Sequence, residues 1–401
     1  MFKDEILKTA DGISNSIIEY RHILHKIAET GFELTETVKF VREALEKLGY
    51  EAKLCGRCGI TATVGQGQGK VLLLRADMDA LPIKEEANID FKCDAGNMHA
   101  CGHDMHTAML LGAAEILKKY ENRINGTVKM MFQPAEETLE GARNMIEAGV
   151  LENPVVDGAM MLHVMSAMYM PVGTVIVSSP GVGAPAADFF AVKVQGRGCH
   201  GASPEKGIDA LSSAAHILLA LQEIPARELS SLDEAVITVG KINGGSAANA
   251  IADTVFMEGT LRAFDENLRE KIKRRVCEIS ESVGAAFRTT AEVTFSSGCP
   301  TLINNKEMSD KIFKICSELL GERVCTTAML STDGRPSRGG GSEDFAYISH
   351  KVPSLMLALA AGEPDKGYTF PGHHPKVRFD DSALKVGAAV FAYSAIRWLE
   401  N

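Results

Sequence analysis

From Phe2 to Leu48 apolar residues recur at helical spacing: Ile6 and Leu7, Ile13, Ile17 and Ile18, Ile23 and Leu24, then Val38, Phe40, Val41, Leu45 and Leu48, before the pattern stops at Gly49. That period, closed by a glycine, predicts two helices ahead of the first strands. The texture then shifts to short, largely apolar runs, the continuous Val71 to Leu74 followed by Val128 to Phe132, Gly158 to Leu162 and Ser354 to Ala360, which predict buried strands. Helical patterns separate them, from Thr107 to Tyr120, Arg143 to Ala148, Lys306 to Leu320 and Ser382 to Leu399. Strands interleaved with helices predict an α/β domain with a mixed sheet flanked by helices, in which functional groups collect just beyond strand ends.

From about Pro180 the pattern changes again. Gly181, Gly183, Ala184, Pro185 and Ala186 form a small-residue connector, followed by a strand pattern over Asp188 to Val194 and a helix over Asp209 to Leu221. Strands over Ala235 to Lys241 and Thr254 to Phe264, a helix over Glu266 to Val283 and a strand near Ala291 to Phe295 complete the order βαββαβ, which fits a ferredoxin-like sandwich. The expected organisation is a larger domain over residues 1–183 and 297–401, interrupted by an inserted lid domain over 184–296. A chain of 401 residues is long enough for two cores.

Composition narrows the function classes. With 45% hydrophobic and 23% charged residues the chain reads as an ordinary globular protein, and no apolar run approaches the ~20 residues needed to cross a bilayer. A formal net charge of −10 repels polyanions, which argues against nucleic acid as a partner. The amino terminus carries acids early and has no apolar core with a small-residue cleavage site, so a cytoplasmic location is expected. Nine scattered cysteines fit free thiols in a reducing compartment, one or more of them available to metal. Cys55 and Cys58, the one close pair, lack a second pair or a nearby histidine and read as strand and turn residues.

The chemistry gathers at strand ends. Cys101-Gly102-His103 stands at the mouth of a helix, where the glycine lets both side chains bend toward one ion and the helix amino terminus favours the thiolate. Glu136 and Glu137 directly follow an apolar strand and Pro134, and adjacent side chains diverge, so one can bind metal while the other removes a proton from the attacking water. His163 closes a third run. Cys101, His103, Glu137 and His163 are therefore candidate ligands of a hydrolytic metal site. Asp77 and Asp79 bracket Met78 and can orient ligand histidines from behind. Gly372-His373-His374-Pro375 offers one more imidazole, and spacing alone does not choose between the two. In the inserted domain, glycines around His200 let the backbone approach a substrate, and such a histidine can stabilise a developing oxyanion. Asn249 and Arg262 can bind a substrate carboxylate, Arg262 by a bidentate fork. Met160, Met161, Met165, Met168 and Met170 surround His163 in sequence, as core or as an adaptable apolar wall.

Taken together, these motifs resemble the metal-dependent amidohydrolases that include hippurate hydrolase, N-acyl-amino-acid deacylases and the plant auxin-conjugate hydrolases. The resemblance covers nearly the whole chain: Arg21 to Thr37, Leu74 to Pro82, Met98 to Thr107, Phe132 to Glu137, Gly196 to Asp209, Asn249 to Arg262 and Gly341 to Phe345. It implies two divalent metal ions (zinc, manganese, nickel or cobalt) on Cys101, His103, Glu137, His163 and a late histidine. It also implies Glu136 as catalytic base and His200 as a lid residue, in some relatives delivered by the neighbouring subunit of a homodimer. The late histidine of the family stands two residues before a proline, which selects His373. Ala28 replaces a frequent proline and Cys199 a small residue, and neither touches the chemistry. The implied substrate is a small N-acyl amino acid. A dipeptidase or carboxypeptidase on the same scaffold is the alternative, and a non-catalytic metal-binding protein would require a broken base or ligand set.

Overall fold

The computed structural model describes residues 1–331 and 340–400. The chain divides into two compact units: Met1–Gly183, Ile303–Arg338 and Glu343–Asn401 form the larger, and Ala184–Leu302 with Gly339–Ser342 the smaller.

The chain enters the larger unit through α1 (Phe2–Gly12), α2 (Ser14–Lys26) and α3 (Thr35–Lys47), three helices where the spacing predicts two. The division between α1 and α2 is a single residue, Ile13, at φ −100° and ψ 6°. Its N–H still donates to Thr9 and its carbonyl still accepts from Ile17, so the apolar period passes through without a change of phase that sequence could register. A hairpin of β1 (Lys53–Cys55) and β2 (Gly59–Gly65) leads to β3 (Val71–Asp77), all seven residues of which are buried. Then follow α4 (His103–Lys119), β4 (Thr127–Gln133), α5 (Gly141–Glu147), β5 (Gly158–Met165) and the short β6 (Val175–Val177).

The smaller unit contains β7 (Ala186–Gln195), α6 (Ala210–Leu221), β8 (Ala235–Gly244), β9 (Thr254–Ala263), α7 (Glu266–Ala286) and β10 (Thr290–Cys299). Its four strands form an antiparallel sheet in the order β8-β9-β7-β10. Alternate residues of β7 (Phe190, Val192 and Val194) pack with Ile217 and Leu221 of α6 and with Ile272 and Val276 of α7, the period-2 and period-3.6 faces meeting in a core of their own. β10 reaches Cys299, so the insertion outlasts the apolar pattern that suggests an end at residue 296. Gly181–Ala184, expected to be an irregular connector, is extended; the small residues leave its backbone free to pair, and the proline comes only at 185.

Returning to the larger unit, the chain forms α8 (Lys306–Leu320), β11 (Val324–Thr326), α9 (Ala346–Ser349), β12 (Ser354–Ala360) and α10 (Leu384–Leu399). The larger sheet runs β1-β2-β4-β3-β5-β12-β6-β11. Its centre is parallel: β3 pairs with β4 and β5, and β5 with β12. α4 and α10 are buried nearly all round and pack on each other. Parallel strands place their carboxyl ends along one edge, so Asp77, the segment after Gln133, and His163 emerge side by side. Among the described residues, no helix is long and apolar enough to cross a membrane.

Candidate metal centre

The turn into α4 is dictated by Gly102, at φ +88°. A Cβ there would stand 2.4 Å from a Val164 methyl and 3.2 Å from the Phe379 ring, so only glycine admits both the left-handed backbone and the close approach. The turn presents Cys101 and His103 together. His103 donates from Nδ1 to the main-chain carbonyl of Asp79 at 2.8 Å, which leaves the Nε2 lone pair facing inward. His163 does the same with the carbonyl of Val164 at 2.7 Å and turns its Nε2 to within 3.4 Å of Cys101 Sγ. A histidine whose outer nitrogen is fixed by an acceptor is prepared to bind metal through the inner one.

Glu136 and Glu137 are aimed by their backbone. Ala135 takes φ +54°, and the N–H groups of Glu136 and Glu137 donate to the two carboxylate oxygens of Asp79 at 3.0 and 3.1 Å. The turn closes only because Gly141 has no side chain: a Cβ there would overlap the Pro134 carbonyl at 1.6 Å. His373, also at positive φ (+64°), is tied by its N–H to the Ala100 carbonyl and brings Nε2 within 3.4 Å of Glu137 Oε1. Non-glycine residues held in this region mark strain that the surroundings impose. His374 faces elsewhere, stacked on Phe370, with Nδ1 accepting from the Lys376 N–H.

Candidate ligand atoms therefore cluster as Cys101, His103 and His163; as Cys101, Glu137 and His373; and as His103, Glu136 and Glu137. His103 Nε2 and Glu137 Oε1 are buried and have no hydrogen-bond partner among the described residues, and a buried polar atom so placed is costly unless something supplies the missing contact. A divalent ion would supply it, and a thiolate, three imidazoles and a carboxylate suit a first-row metal. Against the cost of burial, Asp77 and Cys101 raise His103 well above the usual imidazole range, so an ion on Nε2 would take the place of a proton there. Burial holds the His163 imidazole down to about 3, helped by His106 and His103 nearby, so it presents a neutral nitrogen. Burial also pushes Cys101 up to about 12 against the pull of His103, and Glu137 up to about 7; a bound cation offers both the positive charge they lack. Glu136 is raised well above the usual carboxylate range by burial and then by Glu343, Glu137 and Asp344.

Two other clusters, Asp77-His103-His106 and Glu136-Glu343-Asp344, do not fit an ion as well. Asp77 is already spent: Oδ1 accepts from His106 Nδ1 at 2.6 Å and Oδ2 from Arg75 at 2.6 Å. Its hydrogen bond thus goes to His106, with His103 Nε2 3.8 Å away, whereas Asp79 holds ligand candidate His103 through its carbonyl. The second cluster surrounds a cation already, since Arg75, wholly buried, also donates to Glu343, Asp344 and Gln133. Sequence reasoning passed over His106, Arg75, Glu343 and Asp344 as site residues. The available signal was an arginine inside an all-buried strand, which must find carboxylates.

In the smaller unit the candidates do not all meet. Cys199–His200 pairs with Ala250–Ile251, and Gly201 donates to the Asn249 carbonyl at 2.7 Å, so His200 and Asn249 are neighbours, both exposed. Arg262 stands at the far end of β9. It lies eight positions along the strand from Thr254, roughly 26 Å at the usual rise, so within one chain Arg262 and Asn249 cannot hold the same carboxylate, contrary to the joint clamp the sequence suggests. Arg262 donates to Ser342 Oγ at 2.9 Å. Of the methionines around His163, Met160 and Met161 take the core alternative at 0% and 1% exposure, and Met165, Met168 and Met170 reach the surface.

Residues 73–397 match the model of Peptidase family M20/M25/M40. The chain belongs to this family. It is 36% identical over 393 residues to N-acetyl-L-cysteine deacetylase of Bacillus subtilis (strain 168), covering 97% of this chain and 89% of that protein. To thermostable carboxypeptidase 1 of Saccharolobus solfataricus it is 36% identical over 395 residues, covering 96% of both. Among solved structures, a dinuclear metal-binding peptidase of the M20 family from Bacillus subtilis superposes with a TM-score of 0.78 at 30% identity, covering 97% of this chain and 99% of that one. This member of the M20/M25/M40 family is a metal-dependent amidohydrolase.

Proposed function

We propose that the enzyme cleaves the amide bond of N-acyl or N-aroyl amino acids to a carboxylate and a free amino acid, at two divalent ions held by Cys101, His103, Glu137, His163 and His373. The observation that carries this reading is the pair of buried polar atoms unpartnered among the described residues, His103 Nε2 and Glu137 Oε1, facing Cys101, His163 and His373 beside the proton-hungry carboxyl of Glu136. When bound, the ions polarise the amide carbonyl and acidify water. Glu136 accepts the proton of the attacking water and delivers it to the leaving nitrogen, the role for which burial among acids raises its basicity. Asp79 holds both Glu136 and Glu137 by their backbones and fixes the tautomer of His103.

In the smaller unit, His200 is assigned to the developing oxyanion. Ala202 N–H donates to its Nδ1 at 3.0 Å, which leaves Nε2 as the protonated, outward nitrogen. Asn249 and Arg262 are assigned to substrate polar groups, Arg262 to the free carboxylate. The smaller unit is assigned as lid and homodimer contact, which sedimentation would test by showing a dimer.

The deciding experiment strips the enzyme of metal, restores zinc, manganese, nickel or cobalt, and assays N-acetyl, N-benzoyl and longer N-acyl amino acids against peptides with a free α-amino group. Turnover of N-acyl amino acids is expected. The likeness to a carboxypeptidase favours a second reading, and turnover confined to peptides would establish it in place of the first.

A further inference from the structure

Between the candidate ligands His103 and His163 stands a third imidazole, His106, its ring centroid 5.3 Å from that of His103 and 4.6 Å from that of His163. Proximity alone would make it one more ligand. Its hydrogen bonds exclude that. Nε2 receives the N–H of Val164 at 2.8 Å, and a main-chain N–H can only donate, so Nε2 carries a lone pair that is already engaged. Nδ1 faces the Asp77 carboxylate at 2.6 Å and therefore carries the proton. Asp77 is in turn held by Arg75. Val164 is the residue that follows His163, and its carbonyl is the acceptor that fixes the His163 tautomer. One peptide thus meets two histidines, its N–H on His106 and its C=O on His163.

We infer that His106 is a positioning residue for His163: through Arg75, Asp77 and the Val164 peptide it sets the orientation in which His163 offers Nε2 to metal. This rests on the proposed metal site, and it explains why a histidine in the first turn of α4, buried to 1% exposure, is wired to two strands rather than to the cluster beside it. The hydrogen bonds on its two nitrogens run to the neighbouring parallel strands β3 and β5, so the ring links the two just beyond their last paired residues, Arg75 and Met161.

The test is histidine 15N NMR on the metal-free protein and again after adding zinc, together with metal affinities of His106→Gln and His106→Leu. Glutamine can accept from Val164 with Oε1 and donate to Asp77 with its amide, whereas leucine leaves the Val164 N–H unsatisfied. The metal-free spectrum should show His106 as the Nδ1–H tautomer, and zinc should move Nε2 of His103 and His163 while His106 stays. His106→Leu should weaken metal binding about 10- to 100-fold, the usual cost of losing a support behind a ligand, with His106→Gln close to the parent. A zinc-induced shift of His106 Nε2, or equal losses in both variants, would make His106 a ligand and overturn the inference. An Nε2–H tautomer in the metal-free protein would overturn it too, even if His106→Leu fails to fold. Absence of zinc binding by the parent protein would instead refute the metal site, and the tautomer measurement would still decide the wiring independently.

Discussion

The two units treat their chemical residues in opposite ways. In the larger one, Cys101, His103, Glu136, Glu137, His163 and His373 converge, come from several separate loops and strand ends, and are held by backbone hydrogen bonds. In the smaller one, His200 and Asn249 lie together at one end of the sheet, and Arg262 near the other. The cause is topology. Parallel strands send all their carboxyl ends to one edge, so loops far apart in sequence are delivered to one place. An antiparallel sheet sends alternate ends to opposite edges, so residues only thirteen positions apart, Asn249 and Arg262, are separated by the length of a strand. A preassembled centre needs the first arrangement, while residues that meet substrate from different directions can be carried by the second.

The sharpest way to break this contrast is at the base. Glu136→Gln should cost about 10²–10⁴-fold in kcat, the worth of general base catalysis, while metal content and melting temperature hold. Near-normal kcat would remove Glu136 from the mechanism. Cys101→Ala makes the informative partner, because it should lose metal as well as rate. A Cys101→Ala protein with full metal content would take the thiol out of the ligand set.

Convergence of so many carboxylates has to be compensated, and Arg75 is the compensating charge. Burial pushes Asp344 up to about 8 despite Arg75, and the same guanidinium, with His103 and His106, holds Asp77 well below the usual carboxylate range against the cost of its burial. Arg75→Met should therefore destabilise the larger unit by about 3–5 kcal/mol, the cost of leaving buried acids without their partner. Urea unfolding measures this, and a loss below ~1 kcal/mol would show that the acids find another counter-charge or simply protonate.

How much of this was legible follows the same division. Strand ends were readable because β3, β4, β5 and β12 are each built on a short, largely apolar run, and Ser354–Ala360 matches the run residue for residue. Polar residues closing such runs stand out, which is why Glu136, Glu137 and His163 could be named, and Cys101 and His103 stand out at the mouth of a helix. β2 and β6 were not readable: Gly59–Gly65 mixes glycine and threonine among its apolar positions, and Val175–Val177 has only three residues. His106 could not be told from His103, since both stand in the first turn of α4 and only the direction of the Val164 N–H separates their roles. The separation of Asn249 from Arg262 was invisible because distance along an antiparallel strand leaves no mark in composition.

On the dispersed side, His200→Ala should lower kcat by about 10²-fold, the scale of losing one oxyanion donor, with metal content unchanged. A loss of metal instead would place His200 in the binding of the ions, and the two units would no longer differ in kind.

The smallest expected effect is at Arg262, and it tests the dispersion itself. Its guanidinium donates from Nη1 to Ser342 Oγ and lies 5.9 Å from the Phe189 ring centroid, and it carries five N–H donors in all. Compare an N-acyl amino acid with its primary amide. If Arg262 binds the free carboxylate, Arg262→Met should lower kcat/KM for the acid by roughly ten- to a hundredfold, ~1.5–3 kcal/mol for a charge-assisted hydrogen bond, and barely change the amide. Asn249→Ala should leave that acid-over-amide preference intact, because a strand length separates the two side chains in one chain. Equal loss of the preference in both variants would mean that they meet the same carboxylate after all. Since one chain cannot bring them together, the second residue would then come from another copy, and a mixture of the two variants should regain part of the discrimination that neither retains alone.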